Sequence, residues 1–252
     1  MSVPLKPLKW YKKLAIKKGR LEAGAFIVEG ERLISQIIGS HPDEITEIIT
    51  IEKPPYICRS YPVRFVTREQ FHSICSTITP QGIMAIVNLP RDVYSEKLPD
   101  SIGNKILLLE DIQDPGNLGT LIRTAAAFDF SGVIMTKGCA DPLSPKCVQA
   151  TVGTVFSLWL RKTARYLDIA RNLRKDNYTL VATELNGMAS PSIISQQEKL
   201  LLALGNEASG LSLKLLKLAD YRVRIPIIRE KVESLNVASC GAIFMYLSSQ
   251  EC

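Results

Sequence analysis

Short apolar runs alternate with helical stretches along residues 105–248, and this alternation constrains the fold more than any other feature of the sequence. The run at 106–109, Ile-Leu-Leu-Leu, is continuously apolar, as central strands of parallel sheets tend to be. Further strands are predicted at 132–135, 155–160, 179–182, 200–204 and 221–225, and helices at 117–128, 144–150, 164–176, 212–219 and 237–248. This order predicts a doubly wound parallel sheet, which binds ligands beyond the carboxyl ends of its strands.

The first part of the chain has its own, smaller α/β pattern. Strands are predicted at 26–28, 45–51, 63–66 and 82–87, with helices at 31–38 and 68–74. A proline-containing, weakly periodic stretch follows, which is typical of a linker. The sequence therefore predicts a domain at 1–95, a linker at 96–104 and a second domain at 105–252.

Composition excludes several classes of protein. The longest apolar stretch, 242–247, has six residues, whereas a membrane-spanning helix needs about 20. The N-terminal residues are basic but lack the apolar segment of a secretory signal peptide, so no signal peptide is expected. Six cysteines without a Cys-x-x-Cys pair, and only two histidines, argue against a zinc site, so no metal is predicted. Sparse, irregularly spaced cysteines are typical of a reducing, cytoplasmic location.

Positive charge is concentrated at the start of the chain. The net charge is +6, yet residues 1–21 alone carry seven cations and no acid, so the remainder is nearly neutral. A basic stripe that includes Trp10 and Tyr11 predicts contact with the phosphate backbone of a nucleic acid and stacking on its bases. The alternatives are a solvated, frayed helix and a transit peptide, although transit peptides favour Arg and Ser over Lys. The cations predicted to make this phosphate contact are Lys6, Lys9, Lys12, Lys13, Lys17, Lys18 and Arg20.

The first strand end carries a polar motif, DPGNLGTLIRTA at 114–125. Its Pro-Gly pair predicts a turn, and Asn117 is a good helix cap. Arg123 then lies about a turn and a half into the predicted helix. Taken alone, such a segment is usually no more than a capped helix with an exposed arginine. The sequence contains neither the Gly-x-Gly-x-x-Gly motif nor the Walker motif of nucleotide-binding proteins, so an ordinary Rossmann nucleotide site is not supported.

Two later strand ends carry further motifs. GNEASGLS at 205–212 places Asn206 and Glu207 directly after a strand, where side chains face a site. ESLNVA at 233–238 offers Ser234 or Asn236 as the cap of the final helix, whose N-terminus attracts anions. Each motif is common by itself.

The three motifs in this order, with Ile-Pro at 225–226 before the third, resemble the SpoU (TrmH-type) family of RNA ribose 2'-O-methyltransferases in the SPOUT superfamily. The resemblance covers residues 105–248. The segment FIVEGERLI at 26–34 also resembles the start of the L30e-like RNA-binding domain that precedes many members.

The resemblance implies a C-terminal parallel sheet with a trefoil knot, a smaller L30e-like domain, S-adenosylmethionine as cofactor, and an active site completed across a homodimer. RNA is then the substrate. By motif position the catalytic residues are Asn117, Arg123, Glu207, Ser234 and Asn236. The cofactor neighbours are Thr183, Gly205, Ile225 and Leu235.

The chemistry of that reaction constrains the role of Arg123. A ribose 2'-hydroxyl must lose its proton to become a good nucleophile, but a guanidinium stays protonated in proteins. We therefore expect Arg123 to fix the ribose and an RNA phosphate by hydrogen bonds, while the phosphate or Glu207 accepts the proton. Glu207 could instead orient Arg123.

Two departures from the family pattern stand out. IREKV occupies 228–232, where the family has glycine and small residues, and Ala208 stands where glycine is frequent. Ribosomal RNA is the expected substrate, and transfer RNA is the alternative. An inactive RNA-binding or ribosome-assembly relative, and a resistance methylase with the same chemistry, also stay open.

Overall fold

The computed structural model describes residues 6–77, 79–228 and 230–250. The chain forms two compact units: Met1–Arg91 with Asp141–Phe156, and Asp92–Ala140 with Ser157–Cys252. Within the described ranges, no helix combines the length and apolarity needed to cross a membrane. The helices are α1 (Leu8–Lys13), α2 (Lys17–Ala23), α3 (Glu31–Ser40), α4 (Arg68–His72), α5 (Pro115–Ala127), α6 (Pro145–Thr151), α7 (Tyr166–Lys175), α8 (Leu213–Leu218) and α9 (Val237–Leu247). The strands are β1 (Ala25–Glu29), β2 (Ile45–Thr50), β3 (Val63–Phe65), β4 (Ile83–Asn88), β5 (Lys105–Leu109), β6 (Gly132–Thr136), β7 (Trp159–Thr163), β8 (Thr179–Thr183), β9 (Leu200–Leu204) and β10 (Tyr221–Val223).

The first unit is built on a four-stranded sheet in the order β1-β4-β2-β3. β4 pairs antiparallel with β1 and β2, and β3 pairs parallel with β2. Tyr11 in α1 and Leu14 directly after this helix pack into the apolar core that covers one face of this sheet. α6, from the later segment of the unit, contacts β1. The unit is therefore assembled from two separate stretches of the chain.

The basic N-terminal segment is less uniform than its charge suggests. Arg20 is only 3% exposed, its guanidinium lies 2.6 Å from the Asp141 carboxylate, and it also donates to the carbonyls of Leu14 and Ala15. Arg20 therefore forms a structural ion pair with Asp141, and the prediction that it contacts nucleic-acid phosphate is wrong. Tyr11 is fully buried and donates its hydroxyl to Glu47, so it cannot stack on a base. The six lysines of the set stay exposed.

The second unit is built on a six-stranded sheet in the order β10-β8-β9-β5-β6-β7, and all of its neighbouring strands are parallel. The chain starts at β5, runs outward through β6 and β7, and then returns to the other side of β5. This reversal is the switch point at which doubly wound sheets bind ligands. The α/β class and the parallel sheet are thus confirmed.

One predicted strand is misplaced. The sequence predicts a strand at 155–160, but the described chain has a short 3-10 turn at Thr154–Phe156, and β7 begins only at Trp159. β7 contains two buried cations, Arg161 and Lys162, whose side chains donate to backbone carbonyls. Adjacent Arg and Lys residues break the apolar pattern by which a buried strand is predicted. They can be buried here because carbonyl groups from elsewhere in the chain accept their hydrogen bonds.

Candidate active site

The first and second motifs leave the sheet side by side. β5 and β9 are paired in register, with Leu109 opposite Leu204. Glu110 and Gly205, the residues that follow these two strands, therefore lie next to each other at the carboxyl edge of the sheet. Thr183 ends β8, the next strand along, and donates its hydroxyl to the carbonyl of Ala203. The motifs are brought together because neighbouring parallel strands end at one edge.

Asp114, and not Asn117, caps helix α5. Its carboxylate accepts the backbone N–H of Asn117 at 2.9 Å, and Pro115 occupies the first helical position. Proline is favoured there because that N–H has no partner within a helix. The sequence prediction of an Asn117 cap is therefore wrong, and the consequence is functional. The Asn117 side chain is free to turn toward the other two motifs.

Asn117 connects all three motifs through its side-chain amide. Its Nδ2 donates to Glu207 Oε1 at 3.0 Å, and its Oδ1 accepts from Asn236 Nδ2 at 3.1 Å. Asn236 in turn caps α9, since its Oδ1 accepts the backbone N–H groups of Ala238 and Ser239 at 2.9 and 3.3 Å. Three of the five predicted catalytic residues thus form one chain of hydrogen bonds.

A cavity of about 720 Å³ opens at the ends of β8, β9 and β10. Its apolar walls include Leu204, Val223, Val237 and Phe244. A cavity of this volume is within the usual range for small-molecule and cofactor sites. Six of the nine predicted catalytic and cofactor residues line it: Thr183, Gly205, Glu207, Ile225, Ser234 and Leu235.

Gly205 allows the loop of the second motif to close on itself beside the cavity. A Cβ at this position would overlap the backbone of Gly210 and Leu211. The loop closes on itself there, because the N–H of Asn206 donates to the carbonyl of Gly210 and the reverse bond is also made. A larger residue at 205 would force the loop open.

The ionisable groups around the cavity are mostly acidic. Among the described residues that line it, Glu184, Glu207 and Glu233 supply three carboxylates, and Arg224 supplies one guanidinium. Cys240 also lines the cavity, and burial raises the pKa of its thiol above the usual value. Cys240 therefore stays protonated at neutral pH and contributes no charge. The arrangement favours a cationic ligand.

Arg123 lies apart from this cavity. Its side chain is exposed on α5 and makes no hydrogen bond or ion pair with any residue in the described ranges. Glu207 bonds to Asn117, and no bond between Glu207 and Arg123 is present within the described chain. The alternative role of Glu207, orienting Arg123, is not seen within one protomer.

Both departures from the family pattern are located at this site. Ala208 does not have a positive φ, and its N–H donates to Asn206 Oδ1, so the residue is accommodated without backbone strain. In the stretch 228–232, Arg229 lies outside the described residues. Ile228 before it is exposed, and Ile227 lines the cavity.

Sequence reasoning missed some residues that shape the site. Asn206 was noted only for standing at a strand end, yet it donates to the carbonyl of Asp111 and accepts from Ala208 and Ser209. Asp111 has a φ of 56°, unusual for a residue with a side chain. Among the described residues no group of His, Cys, Asp and Glu is arranged to hold a metal ion.

Comparisons with known proteins agree on both units. The SpoU rRNA Methylase family model matches residues 104–246, and the MRM3-like substrate binding domain matches residues 6–85. The 23S rRNA (guanosine(2553)-2'-O)-methyltransferase RlmP of Bacillus subtilis is 32% identical over 244 residues, which cover 95% of this chain and 94% of the relative.

Solved structures show the same architecture. The SpoU methyltransferase AviRb from Streptomyces viridochromogenes, in complex with AdoMet, superposes with a TM-score of 0.82 at 25% identity and covers 96% of each chain. An AdoMet-bound rRNA methyltransferase from Sinorhizobium meliloti superposes with a TM-score of 0.79 at 28% identity, covering 98% of this chain and 96% of that one.

Proposed function

The chain belongs to the SpoU rRNA methylase family, and from this premise we propose that it transfers a methyl group from S-adenosylmethionine to the 2'-oxygen of a ribose in structured RNA. Ribosomal RNA is the expected substrate, because the full-length relative in Bacillus subtilis acts on 23S rRNA. The observation that carries the proposal is the cavity at the three motifs, with Asn117 joining Glu207 to Asn236 beside it. A cytoplasmic location is part of the proposal.

The residues around the cavity suit this cofactor. S-adenosylmethionine carries a sulfonium and an ammonium group, and of the four charged side chains that line the cavity in the described part of the chain, three are carboxylates. The apolar walls suit the adenine ring, and Gly205 contributes only backbone atoms to the cavity lining. We propose that Thr183, Gly205, Ile225 and Leu235 hold the cofactor.

The chain's own residues supply orientation and charge stabilisation. When bound, the cofactor supplies an electrophilic methyl group, and its sulfur keeps the electron pair of the broken C–S bond. Arg123 stays protonated and binds an RNA phosphate and the reacting ribose oxygen. The 2'-proton passes to that phosphate or to Glu207, whose carboxylate is held by Asn117. Ser234 and Asn236 position the ribose and the cofactor.

We propose that a second copy of the chain completes the site. Arg123 is exposed on α5 and lies outside the cavity that it must serve. α5 packs against α9, and the adjoining exposed or half-exposed surface includes Phe128, Ile243 and Tyr246. Exposed apolar surface of this kind favours self-association. A homodimer through this face would bring each Arg123 to its partner's cavity.

The trefoil knot is part of the same proposal. Its support is the close passage of two backbone segments: a Cβ on Gly187 would overlap the backbone of Val223 and the carbonyl of Arg222. The 184–189 loop therefore passes directly against β10. Stretching single molecules from their ends should stop short of the full contour length, because a tightened knot retains chain. Complete extension would exclude the knot.

The function is tested in two steps. Calorimetric titration with S-adenosylmethionine and with S-adenosylhomocysteine should give about one site per protomer. The protein is then incubated with labelled cofactor and either ribosomal or transfer RNA from a strain that lacks its gene. Labelled ribosomal RNA that resists alkaline cleavage at one nucleotide would support the proposal, and labelling of transfer RNA alone would favour the alternative. Cofactor binding without methylation of either RNA would favour an inactive relative.

A further inference from the structure

Glu110 is a buried carboxylate for which the proposed reaction has no role. It follows β5, is only 5% exposed, and forms no ion pair with any residue in the described ranges. Its two oxygens are instead bonded to neutral groups: Oε1 accepts the hydroxyl of Tyr166 at 2.7 Å, and Oε2 accepts the backbone N–H of Ser212 at 2.7 Å. A buried charge without a cationic partner is costly, so its retention requires a reason.

The bond to Ser212 holds the far end of the second motif. Ser212 is the last residue of the loop 205–212 and caps α8, since its hydroxyl oxygen accepts the N–H of Leu215. The loop contains Gly205 and Glu207, both of which line the cavity. Glu110 thus fixes the point at which this loop enters the next helix.

The residue after Glu110 holds the near end of the same loop. The carbonyl of Asp111 accepts Nδ2 of Asn206 at 2.8 Å. Asp111 is itself fixed, because its N–H donates to the hydroxyl of Thr136 at 2.9 Å. Two consecutive residues at the end of β5 therefore grip both ends of the 205–212 loop.

We propose that Glu110 is a positioning residue for the cofactor site, which acts by locking the 205–212 loop in the shape that presents Gly205 and Glu207 to the cavity. The inference rests on the proposed function for its consequence, but the clamp itself does not. Tyr166 is the second member of the clamp. Burial, together with its bond to Glu110, raises the pKa of the Tyr166 hydroxyl to about 12, so it remains a donor at neutral pH.

The geometry predicts which replacements of Glu110 are tolerated. In Glu110→Gln, the amide oxygen can accept the Ser212 N–H while the amide NH₂ donates to the Tyr166 oxygen, so the clamp survives with one bond reversed. In Glu110→Ala both bonds are lost. Tyr166→Phe removes a hydrogen-bond donor from the buried carboxylate in the wild type, and the acceptor of the buried NH₂ in Glu110→Gln, so it should weaken the clamp in both backgrounds.

The experiment measures S-adenosylhomocysteine affinity by calorimetry, and kcat and KM for cofactor and RNA, in the full chain. E110A should weaken binding about tenfold and raise the cofactor KM, with the RNA KM unchanged. E110Q should bind within about threefold of wild type, and E110Q/Y166F should resemble E110A. Glu29→Ala, which removes a buried carboxylate held by Ser76 and Thr77 in the first unit, is the matched control and should not change the cofactor KM.

Hydrogen exchange at residues 205–212 is measured in the same variants without cofactor. Faster exchange in E110A and E110Q/Y166F, but not in E110Q, supports the clamp even if the wild type binds no cofactor, an outcome that would refute only the proposed function. Unchanged exchange and affinity in E110A would overturn the inference. If E110A does not fold, the comparison of E110Q with E110Q/Y166F decides, and equal exchange in those two variants would likewise overturn it.

Discussion

The carboxylate of Glu207 accepts a hydrogen bond from the side-chain amide of Asn117 at 3.0 Å, although the two residues are 90 positions apart in the chain. This bond exists because β5 and β9 end side by side and because Asp114, one turn earlier, takes over the capping of α5. A helix cap at Asp114 thereby determines where a carboxylate points at the proposed site of methyl transfer.

Arg123 is expected to act on chemistry and not on cofactor binding. Arg123→Ala should abolish methyl transfer while S-adenosylhomocysteine affinity changes by less than about twofold, because the side chain lies outside the cavity. Single-turnover kinetics and calorimetry measure the two effects. Methyl transfer that survives in R123A would show that the assigned role is wrong.

Sharing of the site between two copies predicts complementation. Glu207→Ala should also be inactive, but a mixture of R123A and E207A, unfolded and refolded together, should regain about a quarter of the wild-type activity. Half of the dimers in such a mixture are mixed, and each has one site with both residues intact. Mixing without subunit exchange is the control. No recovery in dimers shown to be mixed would place both residues of a site on one chain.

Asn236 has two separable roles, which two substitutions distinguish. Asn236→Asp keeps an oxygen for the N–H groups of Ala238 and Ser239, but replaces the donor to Asn117 with an acceptor. It should leave thermal stability nearly unchanged and lower methyl transfer. Asn236→Ala should lose the network and also about 1 kcal/mol of stability, because the helix cap is removed. Equal melting temperatures for the two variants would argue against the cap.

The exposed lysines of the first helices are expected to bind RNA phosphate. Lys12→Gln and Lys13→Gln together should weaken RNA binding and reduce the slope of log K against log salt by about 0.7–0.9 per lost contact. Deleting the whole segment would be a poor test, since it also removes Tyr11 and Arg20 from the first unit's interior. Lys175→Gln, at the exposed end of α7, is the control. An unchanged salt-dependence slope would show that these lysines do not contact RNA phosphate.

Asp220 should make stability depend on pH in the acid range. Burial raises its pKa, but hydrogen bonds from Arg174 and from the Leu180 N–H outweigh burial and hold the pKa below its usual value. Its contribution is therefore complete above the unfolded-state pKa, about 3.9, and is lost as pH falls through the lower folded-state value.

Asp220→Asn should accordingly melt at a lower temperature than wild type at pH 7, with a difference that shrinks below about pH 4. Thermal unfolding followed at several pH values measures it. Asp168→Asn, which disrupts an exposed pair with Arg171, should have little effect at any pH. A D220N deficit that stays constant down to pH 2 would exclude the titration.

The sequence predicts correctly those strands that are buried because their own residues are apolar. β5 and β9 are continuous apolar runs, and they lie in the sheet where the pattern places them. β7 was misplaced because Arg161 and Lys162 are buried by carbonyl partners that come from other segments, such as Lys97 and Ala140. Local patterns do not reveal such partners.

The same distinction separates the cations of the N-terminal segment. Arg20 and the exposed lysines contribute equally to net charge, yet Arg20 is paired with a carboxylate 121 positions later in the chain. In the candidate site, the motif residues could be named from the sequence by resemblance. Their hydrogen bonds, and the grip of Glu110 and Asp111 on the second motif, depend on which strands are neighbours.

The pairing of Arg20 with Asp141 also sets an order of events during synthesis. The first unit includes Asp141–Phe156, so it is incomplete when residues 1–91 have left the ribosome. Until Asp141 emerges, the guanidinium of Arg20 has no carboxylate to receive it, and β1 lacks the helix α6 that contacts it. Strands β5 and β6 must therefore be translated before the N-terminal unit can be completed. The two units thus cannot fold strictly one after the other, as separate domains do when they fold during synthesis.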